Sequence, residues 1–368
     1  MAILDAFTQT GNREDLIDVV TRVAVEETPL LSSIGKTKAT GTLHEFMTET
    51  LDTPARNAVI EGSAFAFGTL STRNRLGNYC QISRKTGSIS DTQEAVMKAG
   101  VSSEFSHQVE KATKELARDM ERSHWQGTKI AGASATTARG EDGVFYWTTT
   151  NKTSMSNVAG ADVNDTAQAG GASTITLAVG GGAGSADGDH YLITGGTGQG
   201  QYRIQTGAAA GDVVTVTEAW DIVPDATSTY THFTAPVAMT EAILNDGIQS
   251  AFDAGGRPNA IYVAGKQKRA ISGFGQGIRQ LNDNGKKLTN TIDIYESDFG
   301  SMQVKYDRWI PAGTAAILEE AKWRTAFLRP IKVEESARVG SSRDFAIEGE
   351  YTLESLGESA NALVLGNL

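Results

Sequence analysis

The sequence predicts an α+β fold into which a small all-β domain is inserted. Three observations predict this architecture. Residues 102–126 carry apolar side chains at the spacing of one helical face. The final hundred residues alternate apolar and polar side chains, as strands with one buried face do. Between these regions, residues 150–235 consist of short alternating runs separated by turn residues.

Composition and charge exclude several classes of protein. The 368 residues are 39% hydrophobic and 21% charged, which is typical of a folded globular chain. The single cysteine, Cys80, leaves no intrachain disulfide framework and no zinc site built from paired thiolates. Because the formal net charge is −11, we do not expect a surface that coats itself with nucleic acid. We also expect no secretory signal, no membrane span, no metal and no cofactor.

The first ninety residues predict a helix followed by an extended arm. Asn12 is a candidate helix cap, and Leu16 and Val19 recur at helical spacing before Pro29 ends the pattern. Residues 41–86 favour a long hairpin with few large apolar side chains for its length. Such an arm cannot cover itself with its own core, so we expect it to lie on another surface.

Residues 102–126 give the clearest helix of the sequence. An apolar stripe at positions i, i+4, i+7, i+11 and i+15 runs along one face. The stripe consists of Phe105, Val109, Ala112, Leu116 and Met120. Glu110 and Lys114 form a favourable i,i+4 pair on the polar side. Ser102 or Ser103 is expected to cap the helix and Gly127 to end it.

Residues 150–235 differ from the rest in composition. From Thr153 to Ala235 there is no Lys, one Arg (Arg203), and eight acidic and fourteen Gly residues. The predicted strands are Thr174 to Val179, His190 to Thr194, Gln201 to Gln205 and Asp212 to Glu218. Their regular period of 2 favours a small all-β domain over the alternative, a low-complexity linker. Replacing residues 153–235 by a short Gly/Ser linker is therefore expected to spare the remaining fold.

The last third predicts a helix capped by Thr240, a buried strand at residues 260–264, and several amphipathic strands. One strand alternates Met302, Val304 and Tyr306 with polar residues. In another, apolar and polar residues alternate: Phe345, Ile347, Tyr351 and Leu353 with Glu348, Glu350, Thr352 and Glu354. This pattern predicts antiparallel strands with one buried and one solvated face.

A basic cluster lies within residues 266–287, where six basic residues accompany one acid. The basic residues are Lys266, Lys268, Arg269, Arg279, Lys286 and Lys287. No motif that reads nucleic acid surrounds them, and aromatic residues are scarce. The cluster therefore favours a solvated or inter-subunit face.

Catalytic and ligand-binding motifs are matched only in part. Residues 35–37 lack the first glycine of a phosphate-binding loop, and residues 195–200 precede a predicted strand instead of a helix. Residues 187–189 lack the remaining ligands of a calcium loop. His107 and His124 are expected to face solvent or a neighbour and not a metal. We therefore expect no enzyme.

Two groups of short runs stand out by their order and spacing. The first group is Gly77-Asn78, Gln81-Ile82, Ser88 to Thr92, Ala95-Val96, Ala99-Gly100 and Glu115 to Glu121. The second is Tyr295 to Gly300, Arg308 to Pro311, Leu328 to Pro330 and Gly349 to Glu354. Together they resemble the major capsid proteins of tailed bacteriophages that have the Hong Kong 97-type fold. The similarity extends over the chain except for about 150–235.

The resemblance implies a division of the chain into six segments. These are an N-terminal arm (1–38), an extended loop (39–90), a peripheral domain (91–149) with a spine helix at 101–127, an inserted β domain (150–235), an axial domain (236–315) and return strands of the peripheral domain (316–368). It also implies that the extended loop lies over a neighbouring subunit.

The resemblance further implies function and partners. The expected protein self-assembles as pentamers and hexamers into an icosahedral head shell, in the virion, after synthesis in the bacterial cytoplasm. The shell encloses double-stranded DNA without sequence-specific binding. The expected partners are a portal and a separate scaffolding protein, or no scaffolding protein at all, because only about 40 residues precede the extended loop. Whether a decoration protein binds is left open. A Lys–Asn cross-link from that loop is not expected, since residues 41–84 contain no Lys.

Arg56, Arg73, Arg75 and Arg84 in the extended loop are expected to meet acidic side chains on a neighbouring subunit; the alternative is a solvated loop. Three other functions remain as alternatives. A cellular nanocompartment shell shares the fold, a hydrolase lacks a nucleophile–base pair, and a tail fibre or adhesin lacks the long repeats of such proteins.

Overall fold

A computed structural model describes the chain in eight segments. They are residues 27–65, 67–96, 100–132, 136–154, 162–234, 236–274, 293–338 and 340–366. The helix predicted after Asn12 lies outside the described residues. So do the basic residues Arg279, Lys286 and Lys287.

Helices and strands alternate irregularly along the described segments. The α-helices are α1 (Pro29–Ser33), α2 (Asp91–Ala95), α3 (Glu104–Gln126), α4 (Val144–Trp147), α5 (Glu241–Asp253) and α6 (Gly265–Phe274). The strands are β1 (Gly35–Lys38), β2 (Leu43–Thr48), β3 (Asn74–Tyr79), β4 (Gln81–Ser90), β5 (Lys152–Ser154), β6 (Val163–Thr166), β7 (Ala169–Gly171), β8 (Thr174–Thr176), β9 (His190–Gly195), β10 (Tyr202–Ile204), β11 (Val213–Thr215), β12 (Thr229–Phe233), β13 (Ala260–Val263), β14 (Ile294–Ser297), β15 (Gly300–Tyr306), β16 (Ala315–Leu318), β17 (Trp323–Glu335), β18 (Ser342–Ser355) and β19 (Ala362–Leu365). In this part of the chain, no helix has both the length and the apolar character needed to cross a membrane.

The chain divides into two compact units. The small unit contains the described residues of 84–117 and 331–348. The large unit contains those of 27–83, 118–330 and 349–366.

The small unit has a core between the first half of α3 and two strands. Its buried residues are Ile89, Phe105, Ala112, Leu116, Phe345 and Ile347. The rings of Phe105 and Phe345 meet edge to face with centroids 5.6 Å apart. This core uses the apolar stripe that the sequence predicts.

Helix α3 is confirmed, and its cap and side-chain pairs follow the prediction. Ser103 is the serine that caps it, because its Oγ accepts a hydrogen bond from the Ser106 N–H at 3.3 Å. The ammonium of Lys114 lies 2.8 Å from the carboxylate of Glu110. Four of the five side chains of the stripe are buried, and the fifth, Val109, is partly buried.

A six-stranded sheet forms the centre of the large unit, in the order β14-β15-β13-β16-β19-β5. Strands β13 and β15 pair in parallel, as do β19 and β5. Helix α5, capped by Thr240 as predicted, packs on β5, β16 and β19. A Cβ on Gly247 of α5 would lie 2.9 Å from the side-chain methyl groups of Ile317 and Val364, so a larger residue would have to displace both. The sheet therefore joins strands from three of the segments that the resemblance implies.

Residues 162–233 form two small sheets, ordered β10-β9-β12-β6 and β11-β8-β7. Each of the four predicted alternating runs contains a strand, so these predictions are confirmed. A core of their own includes Ile175, Leu177, Tyr191, Ile193, Val214, Trp220 and Tyr230. Leu192, Tyr202 and Phe233 belong instead to the main core of the large unit, beside Trp125 and Phe145.

Arg203, the one arginine of this stretch, is buried. Its guanidinium donates to Asp221 at 3.0 Å and to Gln126 of α3 at 2.5 Å. Burial lowers the pKa of Arg203 and the carboxylate of Asp221 opposes that shift. The arginine thus connects the small sheets to α3.

The prediction of one solvated face on the last long strand is wrong for its second half. The four-stranded sheet has the order β1-β17-β18-β4, and within β18 Glu350, Thr352 and Glu354 are all buried. Glu350 is paired, since its carboxylate lies 2.6 Å from Arg139 and 2.9 Å from Arg329. Charge pairing inside the large unit therefore replaces the expected contact with water.

Candidate interaction surface

Strands β2 and β3 form an antiparallel hairpin that carries a long connection. Their register pairs Leu43 with Tyr79 at the base and Thr48 with Asn74 at the far end. Between these strands, the described residues of 49–73 contain no helix or strand. The hairpin predicted for residues 41–86 is confirmed in its paired part, and its connection extends without a core of its own.

Six large apolar side chains lie on this connection, each between 83% and 97% exposed. They are Leu51, Val59, Ile60, Phe65, Phe67 and Leu70. These six residues follow no helical or strand period in the sequence, so no local pattern predicts them as a set. A set of large apolar side chains that is this strongly exposed marks a surface that another molecule covers.

The four arginines expected to contact a neighbour are placed differently from one another. Arg75 pairs with Glu45 across the hairpin, and Arg73 lies 3.5 Å from Glu49. In the small unit Arg84 pairs with Glu348. Arg56 is exposed and has no ion pair within the described part of the chain. The pairs are largely solvent-exposed, so each contributes at most about 1 kcal/mol and can be exchanged for another partner.

The base of the hairpin is fixed by the amide of Asn78, which is fully buried. Its Oδ1 accepts from the Asp142 N–H at 2.9 Å, and its Nδ2 donates to the carbonyls of Asp142 and Leu353 at 3.1 and 2.7 Å. The sequence singles out Gly77-Asn78 as part of the second arm of the hairpin and of the resemblance, but it does not predict these hydrogen bonds. The two partner residues, Asp142 and Leu353, lie 64 and 275 positions away in the sequence, so no local pattern predicts these contacts.

The basic cluster is described only in part. Lys266 and Arg269 are exposed on α6. Lys268 donates to the carbonyl of Val304 at 2.9 Å and lies 3.2 Å from Asp293. Within the described residues the cluster is therefore a solvated helix face with one engaged lysine.

The partial motifs are structural. Residues 35–37 lie in β1. Gly195 ends β9, and residues 196–200 form the turn towards β10, where Gly196, Gly198 and Gly200 have positive φ. The carboxylates of Asp187 and Asp189 accept from backbone N–H groups of Gly207 and Ala186. No cluster of three or more potential metal-ligating side chains occurs among the described residues.

His124 was expected to face solvent or a neighbour. It is buried and contacts neighbouring elements. Its ring nitrogens lie 3.0 Å from Glu141 Oε1 and 3.0 Å from Thr325 Oγ1. Both nitrogens are therefore occupied by protein groups, and the residue serves packing and polar pairing.

Comparison with known proteins identifies relatives along the whole chain. The family described as SU10 major capsid protein matches residues 4–367. The major capsid protein of Escherichia phage Phieco32 is 24% identical over 365 residues, which cover 98% of this chain and 95% of that protein.

Solved structures support the same fold. A chain of Gordonia phage Cozz superposes with a TM-score of 0.55 at 10% identity, over 96% of this chain and 91% of that one. The capsid of a native GTA particle gives a TM-score of 0.53 at 11% identity, over 99% and 98% of the two chains. At such identities the likeness is one of fold.

Proposed function

Since the chain belongs to the SU10 major capsid protein family, we propose that its hairpin connection joins copies of the chain into the shell of a phage head. The protein is a major capsid protein with a Hong Kong 97-type α+β fold, and many copies form the shell of the virion. The same matches favour a phage head over the shell of a cellular nanocompartment.

The exposed apolar set on residues 51–70 carries this proposal. Burial of one large apolar side chain stabilises by about 1.5–3 kcal/mol, so the six together provide roughly 9–18 kcal/mol before ordering costs. A second copy of the chain is the occupant that a shell of many identical subunits supplies. The connection cannot bury these side chains against itself, because it has no core.

Charge on the hairpin supports a neighbour of the same kind. The chain carries 44 acidic and 33 basic residues, so any copy offers acidic surface in excess. Arg56 reaches such a surface without losing a partner among the described residues, whereas Arg73, Arg75 and Arg84 exchange weak, largely exposed pairs for new ones. These four arginines are our candidates for inter-subunit contacts.

The subunits group as pentamers and hexamers around double-stranded DNA, which a chain of net charge −11 encloses without tight binding. Assembly uses a portal, a separate scaffolding protein and, in some form, a decoration protein. The chain is made in the cytoplasm of the bacterial host and has no catalytic role.

The segments are assigned as follows. Residues 39–90 are the extended loop, residues 101–127 the spine helix, residues 236–315 the axial domain, and residues 150–235 an inserted β domain. The hairpin, α3, α5 with its sheet, and the two small sheets support these assignments in turn.

Electron microscopy of negatively stained protein tests the function. We expect the purified chain, alone or with the scaffolding protein, to form closed shells, tubes or rings of five or six. The double variant Phe65→Ser/Phe67→Ser is expected to remain folded, by circular dichroism, and to stay unassembled, because it removes two of the six apolar anchors.

The matched control is Val179→Ser, since Val179 is 89% exposed but lies in the small β sheets region and not on the connection. This control is expected to assemble like the original chain. A chain that stays monomeric with scaffold present, or full assembly of the double variant, would contradict the proposal.

A further inference from the structure

A buried carboxyl group without hydrogen-bond partners lies beneath the base of the hairpin. Asp142 is fully buried, and neither of its side-chain oxygens accepts a hydrogen bond from the described residues. The side-chain amide of Asn78 in β3 binds both backbone groups of Asp142: it accepts from the N–H and donates to the carbonyl. An orphaned buried carboxyl is costly, and such a group calls for a physical explanation.

Lys129 lies between this carboxyl group and the hairpin. Its Nζ donates to the carbonyl of Gly77 in β3 at 2.9 Å. The same Nζ is 3.6 Å from Asp142 Oδ2, close enough for attraction but too far for a hydrogen bond. One ammonium therefore has two competing acceptors, one on the hairpin and one on the loop below it.

We propose that proton uptake and release at Asp142 sets which acceptor Lys129 holds, making the base of the hairpin a proton-controlled hinge. When Asp142 is neutral, Lys129 stays on the Gly77 carbonyl and holds β3. When Asp142 loses its proton, the buried charge draws Lys129 away from β3, and the hairpin base loosens. The hinge does not depend on what the connection docks against.

The charge environment places this switch near neutral pH. Burial, the largest cause, raises the pKa of Asp142 to about 7, with Glu141 adding to the rise and Lys129 opposing it. Burial also raises the pKa of Tyr146 to about 12, so that this neighbour stays neutral. The other titratable groups here are His124, which contacts Glu141, and the pair His44 and Glu354 at 3.8 Å.

Other contacts hold the base of the hairpin when Lys129 leaves the Gly77 carbonyl. Phe46 of β2 packs against Trp147, with ring centroids 5.6 Å apart, so the base keeps an apolar contact when Lys129 leaves. The Asn78 hydrogen bonds are uncharged and do not depend on this proton. Deprotonation is therefore expected to loosen β3 around Gly77 without detaching the hairpin.

Hydrogen exchange of the full-length chain at pH 6.0 and 8.5 tests the hinge, with intrinsic exchange rates divided out. For peptides covering β2 and β3, we expect protection to fall about three- to tenfold at the higher pH, the effect of losing one hydrogen bond. Asp142→Asn should show equal protection at both pH values. Lys129→Met should show low protection at both.

Asp246→Asn is the matched control, since Asp246 is exposed on α5, and it should behave like the original chain. Equal protection of the original chain at both pH values, or an undiminished fall in Asp142→Asn, would overturn the proposal. If Asp142→Asn fails to fold, the Lys129→Met variant decides by itself, because a pH-dependent fall that persists without the ammonium contradicts the hinge.

Discussion

Glu121 and Asp307 form a pair of buried carboxyl groups inside the large unit. The two oxygens of Glu121 accept from the backbone N–H groups of Leu30 and Leu31 at 2.7 and 2.8 Å. Asp307 accepts from the indole of Trp125 at 2.7 Å. Burial, and then the nearby Asp307, raise the pKa of Glu121 above its ordinary value, so the pair holds a proton.

This pair predicts that the protein loses stability as pH rises. A raised pKa in the folded state means that folding binds a proton which the unfolded chain releases above about pH 4.5. The free energy of unfolding should therefore fall with rising pH, and Asp142 contributes to the fall in the same direction. Urea unfolding at pH 5, 7 and 8.5 measures the slope. Glu121→Gln should flatten it in part, and Glu121→Gln with Asp142→Asn should flatten it further.

Glu61→Gln, in the exposed connection, is the control and should leave the slope unchanged. A slope in Glu121→Gln as steep as in the original chain would show that this carboxyl group is not the proton holder.

Gly87 predicts a steric limit in the small unit. A Cβ on this residue would lie 2.6 Å from two ring carbons of Phe345. Gly87→Ala must displace the ring and should lower the free energy of unfolding by about 1–3 kcal/mol, measured in urea. Gly184→Ala is the control, because a Cβ there meets nothing within 4 Å. In a Phe345→Leu background the cost of Gly87→Ala should shrink, and an unchanged cost would place its cause elsewhere.

Charge reversal at Arg75 should weaken assembly and leave the monomer folded. The side chain is 66% exposed and pairs with Glu45, so its loss has little effect on a single chain. Sedimentation and microscopy of Arg75→Glu would measure assembly, and thermal unfolding would measure the fold. Equal loss of both properties would count against an interface role.

The swap Glu45→Arg/Arg75→Glu separates two explanations of that result. It restores a pair within the hairpin but not a contact with a neighbour's acid. We expect it to remain defective in assembly, whereas restored assembly would mean that only the hairpin pair matters. Lys36→Glu, at an exposed position of β1, is the control and should assemble normally.

Excision of residues 162–233 should destabilise the large unit. The composition of residues 153–235 predicts that a Gly/Ser linker in their place spares the fold. However, Leu192, Tyr202 and Phe233 pack in the main core, and β5 pairs with β19. A linker variant that retains β5 should therefore show a lower Tm by calorimetry. An unchanged Tm would restore the expectation of an independent domain.

Helices and strands with a clear local sequence pattern were predicted correctly. Helix α3 follows from a stripe with one period, and the buried strand β13 follows from its uniformly apolar residues. Glu350 was placed on the solvated face, because alternation cannot reveal that Arg139 and Arg329 neutralise it from distant positions. The acids Glu121 and Asp142 were missed for the same reason.

In the candidate interaction surface, too, features set by local sequence were predictable and features set by tertiary packing were not. Sequence reasoning identified the extended segment and its arginines, whose position depends only on the lack of a local core. It could not identify the Asn78 hydrogen bonds or the Lys129 position, which depend on how β3 meets residues near 142 and 353. Such contacts follow from tertiary packing, and no single segment encodes them.

The pairing of β5 with β19 has a consequence for the timing of synthesis. Asn151, just before β5, donates to the carbonyl of Asn361 at 3.0 Å across 210 positions. Because β19 lies between β16 and β5, the central sheet cannot close until the ribosome has released residues 362–365. A nascent chain therefore lacks the finished central sheet until residues 362–365 have left the ribosome.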